Sequence, residues 1–397
     1  MKRRYLVIVC FSAIFAGIFL MHLLTRWWVF RTTGIYGGVF FDLQSVINSQ
    51  KCFEQDGLDI YKYDPTASCV GGYMYGISLM YILSAILTVT SSTTSIAVIG
   101  LFITSLILGV IASVYWTGTQ RSALFLVICL SSPGTWLLVE RGNIDQIVLM
   151  LLFAASLLIS KKKEFFGVLL IGISVLLKFY TFPLLLVVAL IFSSKKLKAF
   201  TITLACILLP ITAWNISLIH GFPSSWFVSF GAPVIPKFAE TVGIFLPSLV
   251  SHTIGVLMLG VLVLIITSVP AVQRFQIGEK ILTQPKELEE VLTFIFGVTF
   301  VSCYLSGTNY DYRLIYLATF GLGLLKNVAH TGYNNLFLAG PLIISLWCTD
   351  FFFGIHLQYA YGVWQFIGDI FLAVFVALVL QPIIPKLRRM DWTFSRN

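Results

Sequence analysis

Four short groups of charged residues interrupt an otherwise apolar chain, and their side chains are of the types that bind a phosphate or accept a proton. A carboxylate can take the proton of an attacking hydroxyl, whereas lysine and arginine bind anionic phosphate. Ionisable side chains in membrane-embedded sequence cost about 2.5–3.5 kcal/mol each on insertion scales, so they indicate function by default. The alternative is that they lie at loop ends and contact only lipid headgroups. The four groups, called here the charged islands, are residues 40–44, 140–146, 177–183 and 309–313.

The amino-acid composition is that of an integral membrane protein. Of the 397 residues, 58% are hydrophobic and 11% are charged, whereas soluble domains carry about 25% charged residues. The net charge of +9 includes basic clusters at residues 2–4, 161–163, 195–198 and 386–389, each beside an apolar run. Such clusters are typical of cytoplasmic anchors under the positive-inside rule. The positive charge therefore indicates membrane topology and not nucleic-acid binding.

The beginning of the chain predicts one helix and then a long outer loop. The apolar run at residues 5–24 is long enough to span a bilayer and has no small-residue cleavage site after it. We interpret it as an uncleaved first helix with a cytoplasmic N-terminus. Residues 25–72 are polar, with more acidic than basic residues, and predict an extracytoplasmic loop with a short surface helix at residues 45–52. Cys52 and Cys69 fall in this loop and would pair in an oxidising compartment.

Further apolar runs predict about eleven to thirteen membrane segments in all. Counting from the cytoplasmic lysines places residues 273–290 and 326–330 inside, and all four islands on or near the outer face. Three runs lie between the first loop and Glu140, where parity needs two or four, so the run at residues 73–90 either dips in and returns or is split. The runs after the first helix are residues 73–90, 96–116, 122–139, 146–160, 166–177, 181–192, 200–219, 251–269, 291–305, 314–325, 336–348 and 363–380.

Two consecutive runs, residues 166–177 and 181–192, are too short for straight spans, since each rises only about 18 Å. Lysines bound the pair at both ends. We therefore expect two tilted helices that meet on the outer side. Pro183 has no backbone donor and disfavours helix in Phe182, which favours a break between them. Lys178 would lie at this break, although its long stem would also let it reach the membrane surface.

With this layout the chain resembles the GT-C superfamily of membrane glycosyltransferases, most closely the bacterial members that take mannose or arabinose from a polyprenyl-phosphate donor. The resemblance covers residues 1–325. It rests on a long loop after the first helix, with an acidic residue, Asp42, soon after the membrane. The other family-like motifs are Gly57-Leu58-Asp59-Ile60-Tyr61, Glu140-Arg141-Gly142-Asn143 before an apolar helix, and Lys178 to Pro183 after a glycine-containing helix. The family has its proline nearer the lysine, so Thr181 and Phe182 depart from the pattern.

The resemblance implies a hexosyl or pentosyl transfer with Asp42 as the general base. The alternative role for Asp42 is to cap a helix at residues 43–50. Lys178, Arg141 and Arg313 would bind the leaving phosphate, unless Arg313 pairs with Asp311, and Arg141 with Glu140 or Asp145. We assign no metal ligand and no cofactor. The candidates for substrate binding are Lys178, Arg141, Glu140, Asp145, Asn143, Tyr310, Asp311 and Arg313.

We therefore expect an all-α polytopic membrane protein with a GT-C-like fold in a bacterial inner (cytoplasmic) membrane. Residues 1–325 would form the catalytic module, and residues 326–397 would add C-terminal transmembrane helices. The expected partners are a polyprenyl-phosphate sugar donor, a glycan or glycolipid acceptor and membrane lipids, with no nucleic acid. The alternative is a transporter or flippase of a lipid-linked sugar, which also uses broken helices and buried charges. The sequence has no evident internal repeat, which favours the enzyme, and a scaffold without chemistry leaves Lys178 unexplained.

Overall fold

The computed structural model describes the chain as a bundle of helices. The described residues are 2–25, 41–56, 78–79, 81, 93–192, 194–218, 229–230, 247–268, 285–306, 309–310, 313–329, 336–347, 367–368 and 370–380. The helices are α1 (Lys2–Thr25), α2 (Phe41–Asp56), α3 (Thr93–Tyr115), α4 (Gln120–Leu130), α5 (Pro133–Glu140), α6 (Asp145–Ser160), α7 (Glu164–Leu177), the 3₁₀ turn Phe179–Thr181, α8 (Phe182–Ile191), α9 (Lys195–Leu218), α10 (Ser248–Ser268), α11 (Leu288–Ser306), α12 (Leu314–Ala329), α13 (Leu336–Trp347) and α14 (Ile370–Leu380). Two-residue strands, β1 (Ser229–Phe230) and β2 (Asn309–Tyr310), pair antiparallel.

Three of these helices, α3, α9 and α11, are long and apolar enough to cross a membrane. The helices α4 and α5 meet at a bend of 47° and would together form a fourth span. The expectation of an all-α chain is confirmed, and the long apolar helices agree with a membrane protein. The total of eleven to thirteen spans and the GT-C-like fold stay predictions, because the described apolar segments of the other helices have only 10–17 residues.

The structure corrects three local predictions. The run at residues 122–139 is two helices, because Ser132 is extended and Pro133 begins a new helix, where its missing donor costs nothing. The short surface helix is longer than expected and already begins at Phe41, so Asp42 lies in its first turn and not in a loop. Phe182 is helical, with φ −57° and ψ −44°, because Pro183 falls in a first turn, where proline is tolerated; the predicted break between the two helices lies at Lys178.

The helices α1 and α3 pack antiparallel. The Ser12 hydroxyl donates to the carbonyl of Ser105 at 2.9 Å, and Ile8 faces Gly109 one turn further along. The start of α3 therefore lies at the same end of the bundle as the end of α1. The run at residues 73–90 lies almost wholly outside the described residues.

The helices α11 and α12 form an antiparallel hairpin in the core, where Gly297 faces Phe320 and Gly323 faces Thr293. At one end of this hairpin Lys326 pairs with Glu289 and donates to the carbonyl of Val114 at 2.7 Å. This end joins the segments that the lysine count assigned to the cytoplasm. Arg313, before α12, lies about 20 Å away at the other end.

A contact between two aromatic rings places the lysine clusters at residues 161–163 and 195–198 at the same end of the bundle. Phe165, at the start of α7, lies 5.4 Å from Phe200, near the start of α9, between ring centroids. Gly172, further along α7, contacts Leu204 and Leu208 further along α9, so the two helices are parallel. The helix α8 must therefore return from the far end of α7, which is the hairpin that the flanking lysines predict. Lys178 lies at the far end of this hairpin.

Burial separates central from peripheral helices. Most of α11 is inside the protein, since 78% of its apolar stretch is buried. In α9 only 28% of the apolar stretch is buried. Large apolar side chains such as Ile207 and Leu209 project from α9, as expected of a helix that faces lipid tails. One apolar core extends from Phe15 to Val379, and the domain boundary predicted after residue 325 falls inside α12.

Candidate functional site

The first turn of α2 lies directly on the turn between α5 and α6. The backbone amides of Asp42 and Leu43 donate to the carbonyl of Arg141, at 3.2 and 3.4 Å. The Arg141 guanidinium donates from Nε, at 2.8 Å, and from Nη2 to Oδ1 of Asp42. Oδ2 of Asp42 accepts from the side-chain amide of Asn143 at 2.6 Å. The first two islands therefore meet through a carboxylate that is held from both oxygens.

The turn that carries Arg141 and Asn143 is built by local backbone chemistry. Gly142 has φ +60°, a conformation that favours glycine. The side chain of Asn143 then accepts from the backbone N–H of Asp145 at 2.9 Å, as asparagine does in turns. Gln146, in the first turn of α6, ties this helix to α5, because its side-chain amide donates to the carbonyl of Leu138 at 2.9 Å.

A second cluster surrounds Asp145. Its Oδ1 accepts from the Tyr180 hydroxyl, and its Oδ2 accepts from Nε of Arg313 at 3.1 Å. The guanidinium of Arg313 also lies over the ring of Tyr180, 4.5 Å from its centre. The hydroxyls of Tyr180 and Tyr316 are 3.0 Å apart; since Tyr180 gives its proton to Asp145, Tyr316 donates to Tyr180. Asp145 is buried and Arg313 is mostly so, with side-chain exposures of 2% and 12%.

Lys178 joins the two clusters electrostatically. It is an extended residue between α7 and the 3₁₀ turn, outside the helices that are long enough to span, and it is 8% exposed, so it does not reach outward to the surface. Burial lowers the pKa of its ammonium group to about 8. Asp145 and Asp42 oppose this change in the pKa, and Arg313 reinforces it. Both carboxylates therefore act on the same lysine.

The fourth island joins through the paired strands, in which Tyr310 lies opposite Ser229 and Asn309 opposite Phe230. Of the sequence candidates, Glu140 is buried at the end of α5. The side chain of Tyr310 is not described, and Asp311 lies outside the described residues, as do Gly57 to Tyr61 and Cys69. The alternative pairing of Arg313 with Asp311 therefore stays a prediction, beside the observed pair with Asp145.

Within the described ranges no group of three or more His, Cys, Asp or Glu side chains is arranged to hold a metal ion. The site instead mixes carboxylates with lysine and arginine. Such a mixture suits an anionic substrate with hydroxyl groups, because cations bind the anion and carboxylates accept from the hydroxyls.

Comparison with protein-family models, with curated proteins and with solved structures finds no match for this chain. The function must therefore be argued from the residues and their geometry.

Sequence reasoning missed two members of the site, Tyr180 and Tyr316. Tyr180 stood inside an island, but an aromatic residue in apolar sequence carries no signal of its own. Tyr316 follows Arg313 by three residues, a spacing that puts two side chains on one helix face. That spacing was the available signal for Tyr316.

Proposed function

We propose that this protein is a glycosyltransferase that moves a monosaccharide from a polyprenyl-phosphate donor to a lipid-linked or cell-envelope glycan. The observation that carries the proposal is that the Asp42–Arg141 and Asp145–Arg313 pairs lie at one end of the bundle with the buried Lys178, on which both carboxylates act electrostatically. A transfer of this kind needs a proton acceptor and positive charge for a leaving phosphate, and these side chains are of the required types.

In the proposed reaction the acceptor hydroxyl attacks the anomeric carbon of the donor sugar from the face opposite the phosphate. The new carbon–oxygen bond forms as the bond to the phosphate oxygen breaks, with inversion at the anomeric carbon. The hydroxyl proton passes to Asp42, and polyprenyl phosphate leaves with the electron pair. A carboxylate oxygen has two lone pairs, so the hydrogen bond from Asn143 leaves Oδ2 of Asp42 able to accept this proton.

We place the reaction on the outer side of a bacterial cytoplasmic membrane. The inner end of the bundle is assigned by its basic clusters and by the Glu289–Lys326 pair that adjoins them. Cys52, on the same helix as Asp42, is disulfide-bonded, and disulfides persist in oxidising compartments. Both observations support an extracytoplasmic Asp42.

A transporter or flippase of a lipid-linked sugar is the second candidate. It is favoured by the ion pairs at opposite ends of the α11–α12 hairpin, Asp145–Arg313 and Glu289–Lys326, since two such pairs would suit two alternating gates. The long acidic segment after α1 favours the enzyme, because a transporter needs no such loop.

A transfer assay separates the two functions. The purified protein, in lipid nanodiscs, would be incubated with radiolabelled polyprenyl-phosphate hexoses and pentoses and a lipid-extracted acceptor fraction. The enzyme forms a labelled product with a new mobility, and Asp42→Asn does not. Movement of the intact label across proteoliposomes, with no product and no effect of Asp42→Asn, would establish the transporter and remove the enzyme.

A further inference from the structure

Asn143 is almost fully buried, with 1% of its surface exposed, and both polar atoms of its side chain contact the protein. Its Nδ2 donates to Oδ2 of Asp42 at 2.6 Å, and its Oδ1 accepts from the backbone N–H of Asp145 at 2.9 Å. Because the amide is so deeply buried, a substrate has little access to it. This geometry differs from the substrate-binding role that the motif suggested.

Asn143 is also the link between the two charged clusters. On one side it holds the carboxylate that pairs with Arg141, and on the other it holds the first residue of α6, whose side chain pairs with Arg313. The amide is directional, because the nitrogen must face the carboxylate and the oxygen must face the N–H. Its orientation is therefore dictated by chemistry on both sides.

We propose that Asn143 is a positioning residue that fixes the direction of the Asp42 carboxylate and does not bind substrate. This inference rests on the proposed function, in which Asp42 accepts the proton. Arg141 alone would leave Oδ2 of Asp42 unrestrained, since both hydrogen bonds from Arg141 to Asp42 end on Oδ1. The hydrogen bond from Asn143 sets the plane of the carboxylate and so aims the remaining lone pair of Oδ2.

Among the described residues, the charged surroundings of Asp42 are limited, which makes a pH test interpretable. The helix α3, which packs on α2, carries no Asp, Glu, Lys, Arg or His. The ionisable groups of α2 itself lie two or more turns later, at Lys51, Glu54 and Asp56. In the part of the chain that the structure describes, the charged side chains of the neighbouring elements are Arg141, which pairs with Asp42, and Lys178, Glu140, Asp145 and Arg313 of the two clusters.

The decisive variant is Asn143→Asp, which keeps the size of the side chain but turns an acidic oxygen toward Asp42. Two carboxylates at hydrogen-bonding distance retain a proton to higher pH than one. The acidic limb of the profile of kcat/KM against pH should therefore move up by about one unit or more, with activity recovered once the pH is above the shifted limb. Asn143→Ala should lower kcat at every pH and leave the donor KM within about threefold.

Asn215→Asp is the matched control, because Asn215 is a buried amide in α9 that donates to Ser78 outside the site. It should leave the acidic limb where the wild-type protein has it. An unmoved acidic limb in Asn143→Asp, or a loss in Asn143→Ala that appears only as a raised KM, would overturn the positioning role. The second of these results would return Asn143 to substrate binding.

Infrared titration keeps the inference testable if the protein transfers no sugar. The carboxyl band that disappears in Asp42→Asn reports protonation of Asp42 directly. It should persist to higher pH in Asn143→Asp than in the wild type, and an identical titration would refute the contact that the inference needs. Wild-type protein that is inactive with every donor, but shows the infrared shift, would refute the glycosyltransferase and leave the coupling of Asn143 to Asp42 intact.

Discussion

The guanidinium of Arg313 lies over the ring of Tyr180, and both side chains bind the same carboxylate. Arg313 precedes α12, whereas Tyr180 belongs to the 3₁₀ turn after Lys178. The two residues therefore join the third and fourth islands, with Asp145 of the second island between them. A long cationic side chain held by a ring on one face and a carboxylate at Nε has lost most of its freedom before any substrate arrives.

Removal of the Tyr180 hydroxyl should loosen this arrangement in a graded way. Tyr180→Phe keeps the ring beneath Arg313 but loses the hydrogen bond to Asp145, which costs about 0.5–1.5 kcal/mol. Tyr180→Leu also loses the cation–π contact, worth about 0.5–2 kcal/mol. Affinity for a polyprenyl-phosphate donor should fall by about two- to tenfold in the first variant and further in the second. Tyr316→Phe is the control, since it removes a hydroxyl that binds Tyr180 and does not bind Arg313. Equal donor affinities in all three variants would show that the Tyr180 ring does not position Arg313.

Asp42→Asn should abolish transfer while donor binding persists. The amide keeps the shape of the side chain but cannot accept the hydroxyl proton, and loss of a general base typically costs 10²–10⁴ in rate. Single-turnover transfer and donor affinity, measured on the same preparation, separate the two effects. Activity within about threefold of the wild type would remove Asp42 from the role of base.

Donor affinity should fall as the pH rises above about 8. The phosphate binds the protonated form of Lys178, whose pKa is lowered to about 8 by burial. The favourable charge interaction is therefore fully present below this pKa. Above it, the affinity for the donor falls by about tenfold per pH unit. Equilibrium binding of the donor between pH 6.5 and 9.5 measures this dependence.

Two variants of Lys178 test the assignment of that dependence. Lys178→Arg should remain charged and bind the donor equally across the range, whereas Lys178→Ala should bind weakly at every pH. A wild-type profile that is flat through pH 9.5, or a Lys178→Ala affinity equal to that of the wild type, would show that Lys178 does not contact the phosphate.

Cys52 should be bonded to Cys69. Cys52 is disulfide-bonded, and Cys10, Cys129, Cys206 and Cys303 are reduced thiols, which leaves Cys69 and Cys348 as possible partners. The pair with Cys69 would close a short loop after α2 and stabilise the protein by about 3 kcal/mol. Non-reducing mass spectrometry identifies the linked peptides, and Cys348 in place of Cys69 would contradict the prediction.

Hydropathy predicts the positions of the apolar helices but not the breaks and bends between consecutive helices. The ends of α6 and α7 agree with the sequence within two residues, because a long apolar run bounded by charges has one interpretation in a membrane. The bend before Pro133 and the helical conformation of Phe182 depended on whether a proline falls inside a helix or in its first turn. Hydropathy does not distinguish these cases.

The charged islands were found from the sequence, but their pairing was not. The cost of ionisable groups in apolar sequence marks the residues, and the lysine count places them at one end. The sequence predicts Glu140 or Asp145 as the pairing partner of Arg141, whereas the structure pairs Arg141 with Asp42, which is 99 positions away. Long-range pairs depend on how helices pack, and a single sequence carries no record of that.

The two ion pairs at the ends of α12 fix the length of this helix. The cation of one pair is Arg313, just before the first residue of α12, and the cation of the other is Lys326, in its last turn. Each binds a carboxylate on another helix. Inserting or deleting a single residue between them would rotate one end by about 100° relative to the other and shift it by about 1.5 Å. One pair or the other would then break, so α12 should tolerate changes of side chain far better than changes of length.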